Sequence, residues 1–333
     1  MPVIVPQSQS CRLVPMRLRS SAVAAVVMFA ILWGAGGATT VQATGPDSAA
    51  RPDPKVSRLI AVGDIACDPN SPNIGTSGLC QHGRVGALVK KMVRRGADNF
   101  VTLGDAQYES GTYGAFMAEF DPAFRAVRPV TSAVAGNHEY NTKDASGHFR
   151  YWGKRAGTRK HPWRTFTPVA GWRVVLLDSN CEYVGGCGPK SRQGKWLRHL
   201  LANNTRRCTV AMWHHPLQTS GEYAGNADSQ SRALPLWKMV NAGGVDLVLN
   251  GHDHIYERFA KRSDIQQFVV GTGGKSHYDI TTKAPGSKKR INDRYGVLSL
   301  VLASNGTYRH AFVTASGQVV DRGQTRCTNR RSR

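Results

Sequence analysis

In the stretch Val245-Asp246-Leu247-Val248-Leu249-Asn250-Gly251-His252-Asp253-His254-Ile255-Tyr256-Glu257, a short apolar run gives way to a glycine and then to two histidines one residue apart. Val245 to Asn250 has the character of a buried strand. Imidazoles at i and i+2 just past a strand end can turn toward one point, and neutral imidazole is the commonest protein ligand for metals. Taken alone, the pair reads as readily as a polar loop with two exposed rings. Its meaning depends on what else the chain puts at strand ends.

The same ending recurs. Val56 to Val62 is strand-like and stops at Gly63-Asp64. Phe100 to Leu103 stops at Gly104-Asp105, with Tyr108 three residues on, and Val130 to Ala135 stops at Gly136-Asn137-His138-Glu139. Val174 to Leu177 leads to Asp178, and Thr209 to Trp213 leads to His214-His215-Pro216. Helical spacing predicts helices over His82–Arg95, Tyr113–Arg125 and Arg192–Ala202, and another around Ser231–Asn241. The aromatic and basic region 148–170 reads as loop and edge strand. Past the histidine pair come strands at Gln267–Val270, Val297–Ala303, Tyr308–Thr314 and Val319–Val320. This alternation defines an α/β fold, in which ligands collect at the carboxyl ends of strands. Asp64, Asp105, Tyr108, Asn137, His214, His252 and His254 mix hard oxygen donors with imidazoles, a set suited to zinc, iron or manganese. They are too many for one tetrahedral ion. They suit two metals ~3.5–4 Å apart that share a carboxylate, clamp a phosphoryl oxygen and activate a water.

Taken in order, Gly63-Asp64, Gly104-Asp105-Ala106-Gln107-Tyr108, Gly136-Asn137-His138-Glu139, Val210-x-x-x-His214-x-Pro216 and Gly251-His252-Asp253-His254 resemble the motif series of the calcineurin-like metallophosphoesterases. Within them the chain looks most like the purple acid phosphatases, whose GDxxY, GNHE and GHxHxYER patterns it matches through Arg258. The resemblance implies a four-layer αββα sandwich with metals at the strand-end rim. It implies that Asp64, Tyr108 and His254 hold one metal, that Asn137, His214 and His252 hold the other, and that Asp105 bridges. His138 resembles the acid that protonates the leaving oxygen, or a residue that orients the phosphoryl group. Glu139 would stand behind the ligands and orient a neighbouring ring. The activity implied is hydrolysis of phosphomonoesters by in-line attack of a metal-bridging hydroxide. A phosphodiesterase acting on nucleotides or phospholipid head groups is the alternative with the same chemistry. A basic anion-binding protein with a non-catalytic metal site is the alternative of another class.

The chain departs from the broader family twice. Asp64-Ile65-Ala66 stands where many members carry DxH, and Tyr108 would supply the missing ligand. A phenolate favours trivalent iron, so the resemblance implies iron at the Tyr108 site and iron, zinc or manganese at the other. The fourth motif is one residue longer than the usual VxxH if Val210 is its valine. The His-x-Pro ending singles out His214 over His215, which would then line the pocket.

The chain has 333 residues and a formal net charge of +22. A basic surface attracts anions, from phosphate-ester substrates to anionic polymers bound nonspecifically. No motif supports specific nucleic-acid readout, so binding there would rest on charge and weaken with salt. Residues 1–43 read as a signal peptide: Arg12, Arg17 and Arg19, an apolar run from Ala22 to Trp33, and a small-residue site at Val41-Gln42-Ala43. The run is shorter than the ~20 residues of a membrane span, and no later stretch is a candidate span. The expected location is secreted or periplasmic, in the cell envelope. Residues 44–55 read as a flexible lead-in, 56–321 as the catalytic domain and 322–333 as a basic, solvated tail. Cys11 would leave with the signal peptide, and six cysteines remain, an even number suited to an oxidising compartment. Sequence does not choose among their pairings; we expect Cys67–Cys80, Cys181–Cys187 and Cys208–Cys327, the first two as local staples. No CxxC spacing points to a zinc ribbon or redox site. Gly271-Thr272-Gly273-Gly274 reads equally as a phosphate cradle or a strand-to-loop turn, and it lacks the Lys-Ser/Thr of a nucleotide P-loop. His161, His199, His277 and His310 match no motif and read as surface or satisfied core residues.

Overall fold

A computed structural model describes residues 53–74 and 79–328. The 1–43 segment and most of the 44–55 lead-in lie outside the described residues, as do residues 329–333. Among the described residues no helix is long and apolar enough to cross a membrane.

Thirteen strands form two sheets. They are β1 (Val56–Val62), β2 (Asn99–Leu103), β3 (Thr131–Val134), β4 (Arg164–Phe166), β5 (Trp172–Leu176), β6 (Cys208–Met212), β7 (Leu247–Asn250), β8 (Tyr256–Phe259), β9 (Gln266–Val270), β10 (Ser287–Ile291), β11 (Gly296–Ala303), β12 (Thr307–Thr314) and β13 (Val319–Arg326). One sheet has the order β13-β12-β11-β1-β2-β3, the other β10-β8-β9-β7-β6-β5-β4. β1, β2 and β3 run parallel, as do β5, β6, β7 and β9. The remaining neighbours are antiparallel.

The period-2 alternation of strand side chains divides the core. On β5 and β6, Trp172, Val174, Leu176, Val210 and Met212 join the cluster that contains Leu59, Val101 and Leu298 of the other sheet. Val175, Leu177, Ala211 and Trp213 face the opposite way, onto helices α3 (Arg192–Ala202) and α4 (Ala227–Ala242), through Leu197, Leu201, Leu236 and Val240. Each of the valines, leucines and methionine among them contributes about 1.5–3 kcal/mol by leaving water. Val85, Leu88 and Val89 of helix α1 (His82–Arg94) pack on the first sheet, with Phe116, Phe120 and Phe124 of residues 113–130. The layers run helix, sheet, sheet, helix, the four-layer α/β sandwich expected from the resemblance.

Local structure differs from the sequence pattern at several points, and β8 and β10 fall where no strand was expected. The helix expected over Tyr113–Arg125 is a succession of short turns that change pitch at Phe116, Asp121 and Arg125. Pro122 and Pro129 lack the N–H that a continuous helix needs. Within 148–170, helix α2 (Ser146–Trp152) precedes the edge strand β4. The tail expected from residue 322 begins later: β13 runs on to Arg326 and pairs with β12 from Thr307 to Val313. Arg322, Gln324 and Arg326 alternate outward on an edge strand, where hydrophobic patterning is absent. Cys327 beyond it is bonded to Cys208, and the other disulfides join Cys67 to Cys80 and Cys181 to Cys187.

The two sheets meet where the site lies. Gly63 N, at the end of β1, donates to Val270 O at the end of β9, and Gly273 N donates back to Gly63 O. These bonds commit part of the 271–274 loop, which therefore acts as a sheet-to-sheet turn and leaves fewer N–H groups for an anion. Gly271 N is likewise bonded to Ile255 O.

Two histidines buried away from the site make the fold acid-sensitive. Burial pushes His148 down to about 3 and His82 to about 4. A base whose folded pKa lies below its unfolded value favours the folded state above the unfolded pKa, and that stability is lost as pH falls toward the folded pKa. Stability to urea should therefore drop between about pH 6.5 and 3, with His148 contributing on the order of 4 kcal/mol. His148→Leu should flatten that dependence; an unchanged slope would show that His148 does not carry it.

Candidate metal centre

Each candidate ligand follows a strand of the parallel runs or the loop beyond it, and at Asn137 and His252 the glycine before it is a spatial requirement. A Cβ on Gly136 would stand 2.1 Å from Asp105 Oδ1, and one on Gly251 would stand 2.6 Å from Asp64 Oδ2. Asp64, Asp105 and His252 adopt left-handed backbone, with φ of 61°, 46° and 73°. Non-glycine residues avoid that region, and such strain concentrates at functional sites. Here it turns three side chains sharply off their strands toward one point.

Two groups of donors result. In the first, the Tyr108 hydroxyl lies 2.9 Å from Asp64 Oδ1, 3.1 Å from Asp105 Oδ2 and 2.9 Å from His254 Nε2. In the second, His214 Nε2 lies 3.2 Å from Asp105 Oδ2, 3.1 Å from Asn137 Oδ1 and 3.2 Å from His252 Nδ1. Asp105 Oδ2 belongs to both. Spacings near 3 Å are those of donors sharing one ion at about 2.1 Å.

The donor chemistry fits cations. His214 Nδ1 sits 2.8 Å from the Leu103 carbonyl, which only accepts, so this nitrogen carries the proton. In the neutral ring Nε2 is then a lone pair, and it faces two oxygens that also only accept. Burial alone would keep His214 neutral, yet the Asp105 carboxylate raises it to about 9. The space between them calls for positive charge. Burial and the carboxylates of Asp105 and Asp64 push the Tyr108 phenol well above its ordinary value. It would give up its proton only to a strongly Lewis-acidic cation.

His215 is buried beside this group, its ring 4.4 Å from that of His252. Its backbone N–H donates to Ser179 Oγ (3.2 Å), and the Ser179 hydroxyl, 2.8 Å from Nδ1, can donate back. Where Ser179 donates to Nδ1, the proton of the neutral His215 ring sits on Nε2. The structure turns a lone pair of the neutral His214 ring into the site. His138 is half-buried at the mouth, its ring 4.3 Å from Tyr108. Its Nδ1 lies 2.6 Å from the carbonyl of Glu109 and must donate, and its backbone N–H donates to Asp105 Oδ1.

Glu139 has a different task from the one expected. Its carboxylate accepts from Asp105 N (2.9 Å), Ala106 N (2.8 Å), Gln107 N (3.3 Å) and Gly136 N (2.6 Å). It holds backbone, and so fixes the loops after β2 and β3 to each other, where the sequence suggested that it orients a ring. Burial and the Asp105 charge push it up to about 7 against the pull of those N–H groups.

Several residues at the mouth carry no motif. Lys275 pairs with Glu109 and sits 4.7 Å over the Tyr108 ring. Ser276 Oγ meets His254 Nδ1 at 3.0 Å. Tyr278 and Tyr223 stack on His254 and His252. The only sequence signal for them is position: aromatic or polar residues in loops that follow strand-end motifs. Of the histidines without a motif, His277 stacks on Tyr295, whereas His310 is buried with neither ring nitrogen hydrogen-bonded among the described residues.

A family model described as calcineurin-like phosphoesterase matches residues 57–256, and the chain belongs to that family. Within it the chain resembles the purple acid phosphatases. It is 28% identical to purple acid phosphatase 3 of Arabidopsis thaliana over 253 residues, 67% of this chain and 67% of that protein. It is 28% identical to probable purple acid phosphatase 20 of the same plant over 182 residues, 49% of this chain but only 40% of that one. Among solved structures, a purple acid phosphatase from yellow lupin (Lupinus luteus) seeds superposes with a TM-score of 0.67 at 15% identity, over 82% of this chain and 54% of that chain. The last two comparisons leave large parts of those relatives without a counterpart here.

The role of Glu139 is open to direct measurement. A glutamine offers one acceptor oxygen and an amide that faces N–H groups, so about two backbone donors would be orphaned at about 1–3 kcal/mol each. Glu139→Gln should lower unfolding free energy by at least about 2 kcal/mol in urea titrations. A loss of less than about 0.5 kcal/mol would mean that the four contacts do not hold the loops.

Proposed function

We propose that the chain is a secreted two-metal phosphatase that hydrolyses phosphomonoesters. The observation that carries this reading is the pair of four-donor groups sharing Asp105 Oδ2, with the lone pair of His214 turned toward oxygens that only accept. Asp64, Tyr108 and His254 would hold one ion, Asn137, His214 and His252 the other, and Asp105 both. The phenol of Tyr108 favours ferric iron at the first position, and the second suits iron, zinc or manganese. Bound there, the ions would polarise the phosphoryl group and lower the pKa of a water. Preference for monoesters is supported by the relatives, which are named acid phosphatases. Secretion is supported by three disulfides and the N-terminal signal-like segment.

The protein's own groups do the rest. His138 Nδ1 is committed to the Glu109 carbonyl, so in the charged ring the second proton sits on Nε2. That atom would donate it to the departing alkoxide. The Glu109 carboxylate lies 3.7 Å from Nδ1. His215 and Ser179 keep the neighbourhood of His252 fixed.

The deciding assay sets an aryl phosphomonoester beside the matching diester, with and without chelator. Chelator-sensitive cleavage that favours the monoester is expected. A preference for the diester would make the protein a phosphodiesterase, and no cleavage of either by protein carrying two metals would overturn the enzymatic reading. Asp105→Asn should lose both metal and activity. His138→Ala should retain both metals and slow esters of poor leaving groups by about 10²–10⁴-fold, and good ones less. Equal slowing across leaving groups would remove His138 from the acid role.

A further inference from the structure

Two phenols outside every motif close over the histidine pair. Tyr223 lies in the loop between β6 and α4. That loop is held by buried carboxylates: Asp253 accepts from the Thr219 hydroxyl and from Glu222 N, and Glu257 accepts from Ser220 N at 2.8 Å. Tyr278 follows the 271–274 turn, and its N–H reaches His254 O at 3.4 Å. Each ring lies on a different imidazole. Tyr278 stacks on His254 at 3.9 Å and 7°, and Tyr223 on His252 at 4.0 Å and 32°. The two phenol rings are 5.9 Å apart, and their hydroxyls interact. Both side chains are half-buried, so the pair forms a wall of the mouth and not part of the core.

Counting protons shows what the wall offers. Two phenols carry two O–H protons, and their mutual contact takes up at most one. Neither hydroxyl has another protein acceptor among the described residues. At least one O–H donor therefore remains beside the imidazoles of both donor groups, with no cationic side chain stacked on either ring. Phenols with this placement suit an oxygen of a tetrahedral oxyanion, whose charge is met by the ions and whose orientation is set by neutral donors.

We propose that Tyr223 and Tyr278 are substrate-contacting residues, donating a hydrogen bond to a phosphoryl oxygen at the mouth of the site. The proposal rests on the two-metal phosphatase reading. Its test uses the full mature protein loaded with metal and inorganic phosphate as the probe, read by titration calorimetry and by competitive inhibition, with metal content measured on each sample. Tyr223→Phe and Tyr278→Phe keep the rings and remove only the hydroxyls. Each should weaken phosphate binding about tenfold at unchanged metal content, because hydrogen bonds to charged groups are the strong ones. The double variant should lose more than either single one. Phosphate affinity equal to wild type in both singles and the double would overturn the proposal while leaving the phosphatase reading intact. Loss of metal from the phenylalanine variants would also overturn it, since the hydroxyls would then serve the ligands and not the anion. A wild-type protein that holds two metals yet neither binds phosphate nor cleaves an ester would overturn the phosphatase reading and this proposal together.

Discussion

A buried carboxylate that binds only backbone is the constraint on which the site depends. Glu139 gathers N–H groups from the segment after β2 and from the glycine after β3. Those two segments present Asp105, Tyr108, Asn137 and His138. Without an acceptor between them, the N–H groups would be buried and unpaired, which native proteins avoid. Their common acceptor leaves the Asp105 side chain free to face both donor groups. The left-handed turns at Asp64 and Asp105 are packed closely against Gly251 and Gly136, which have no side chain to clash.

The frame of the site was legible because buried parallel strands announce themselves as apolar runs, and because each run stopped at a ligand type, most often after a glycine. The order Asp64, Asp105, Asn137, His214, His252 was therefore readable before any contact was known. Glu139 was noticed, but a sequence shows only that a carboxylate is near ligands; it does not show that its partners are main-chain groups. Tyr223 and Tyr278 were missed for a related reason. They lie 55 residues apart and act through ring contacts that have no spacing rule. The edge strand β10, and β13 beyond its start at Val319–Val320, were hidden by composition. Ser287-Lys288-Lys289-Arg290-Ile291 and the end of β13 are largely polar because an edge strand faces water, and polarity reads as loop or tail. The broken helical region at 113–130 carries apolar periodicity, and its two prolines override that pattern.

The hydrogen bonds between Gly63, Val270 and Gly273 join the sheets at the point where the ligands emerge. The metal groups draw on both sheets: Asp64, Asp105 and Asn137 follow strands of one, and His214, His252 and His254 follow strands of the other. A shift of one sheet over the other would thus separate the two halves of each donor group. The interleaved core of Leu59, Val101, Val210 and Met212 resists such a shift, since close-packed side chains slide only by repacking.

The place of β1 in its sheet has a bearing on how the protein is made. β1 is the first strand among the described residues, yet its neighbour on one side is β11, which begins at Gly296. During synthesis from the N-terminus, every candidate ligand through His254 has left the ribosome while β1 still presents an unpaired edge. That edge is a template for wrong pairing until the late strands arrive. The sheet that carries Asp64, Asp105 and Asn137 is therefore completed only by β11, β12 and β13, all of which come after the last candidate ligand, His254, in the chain.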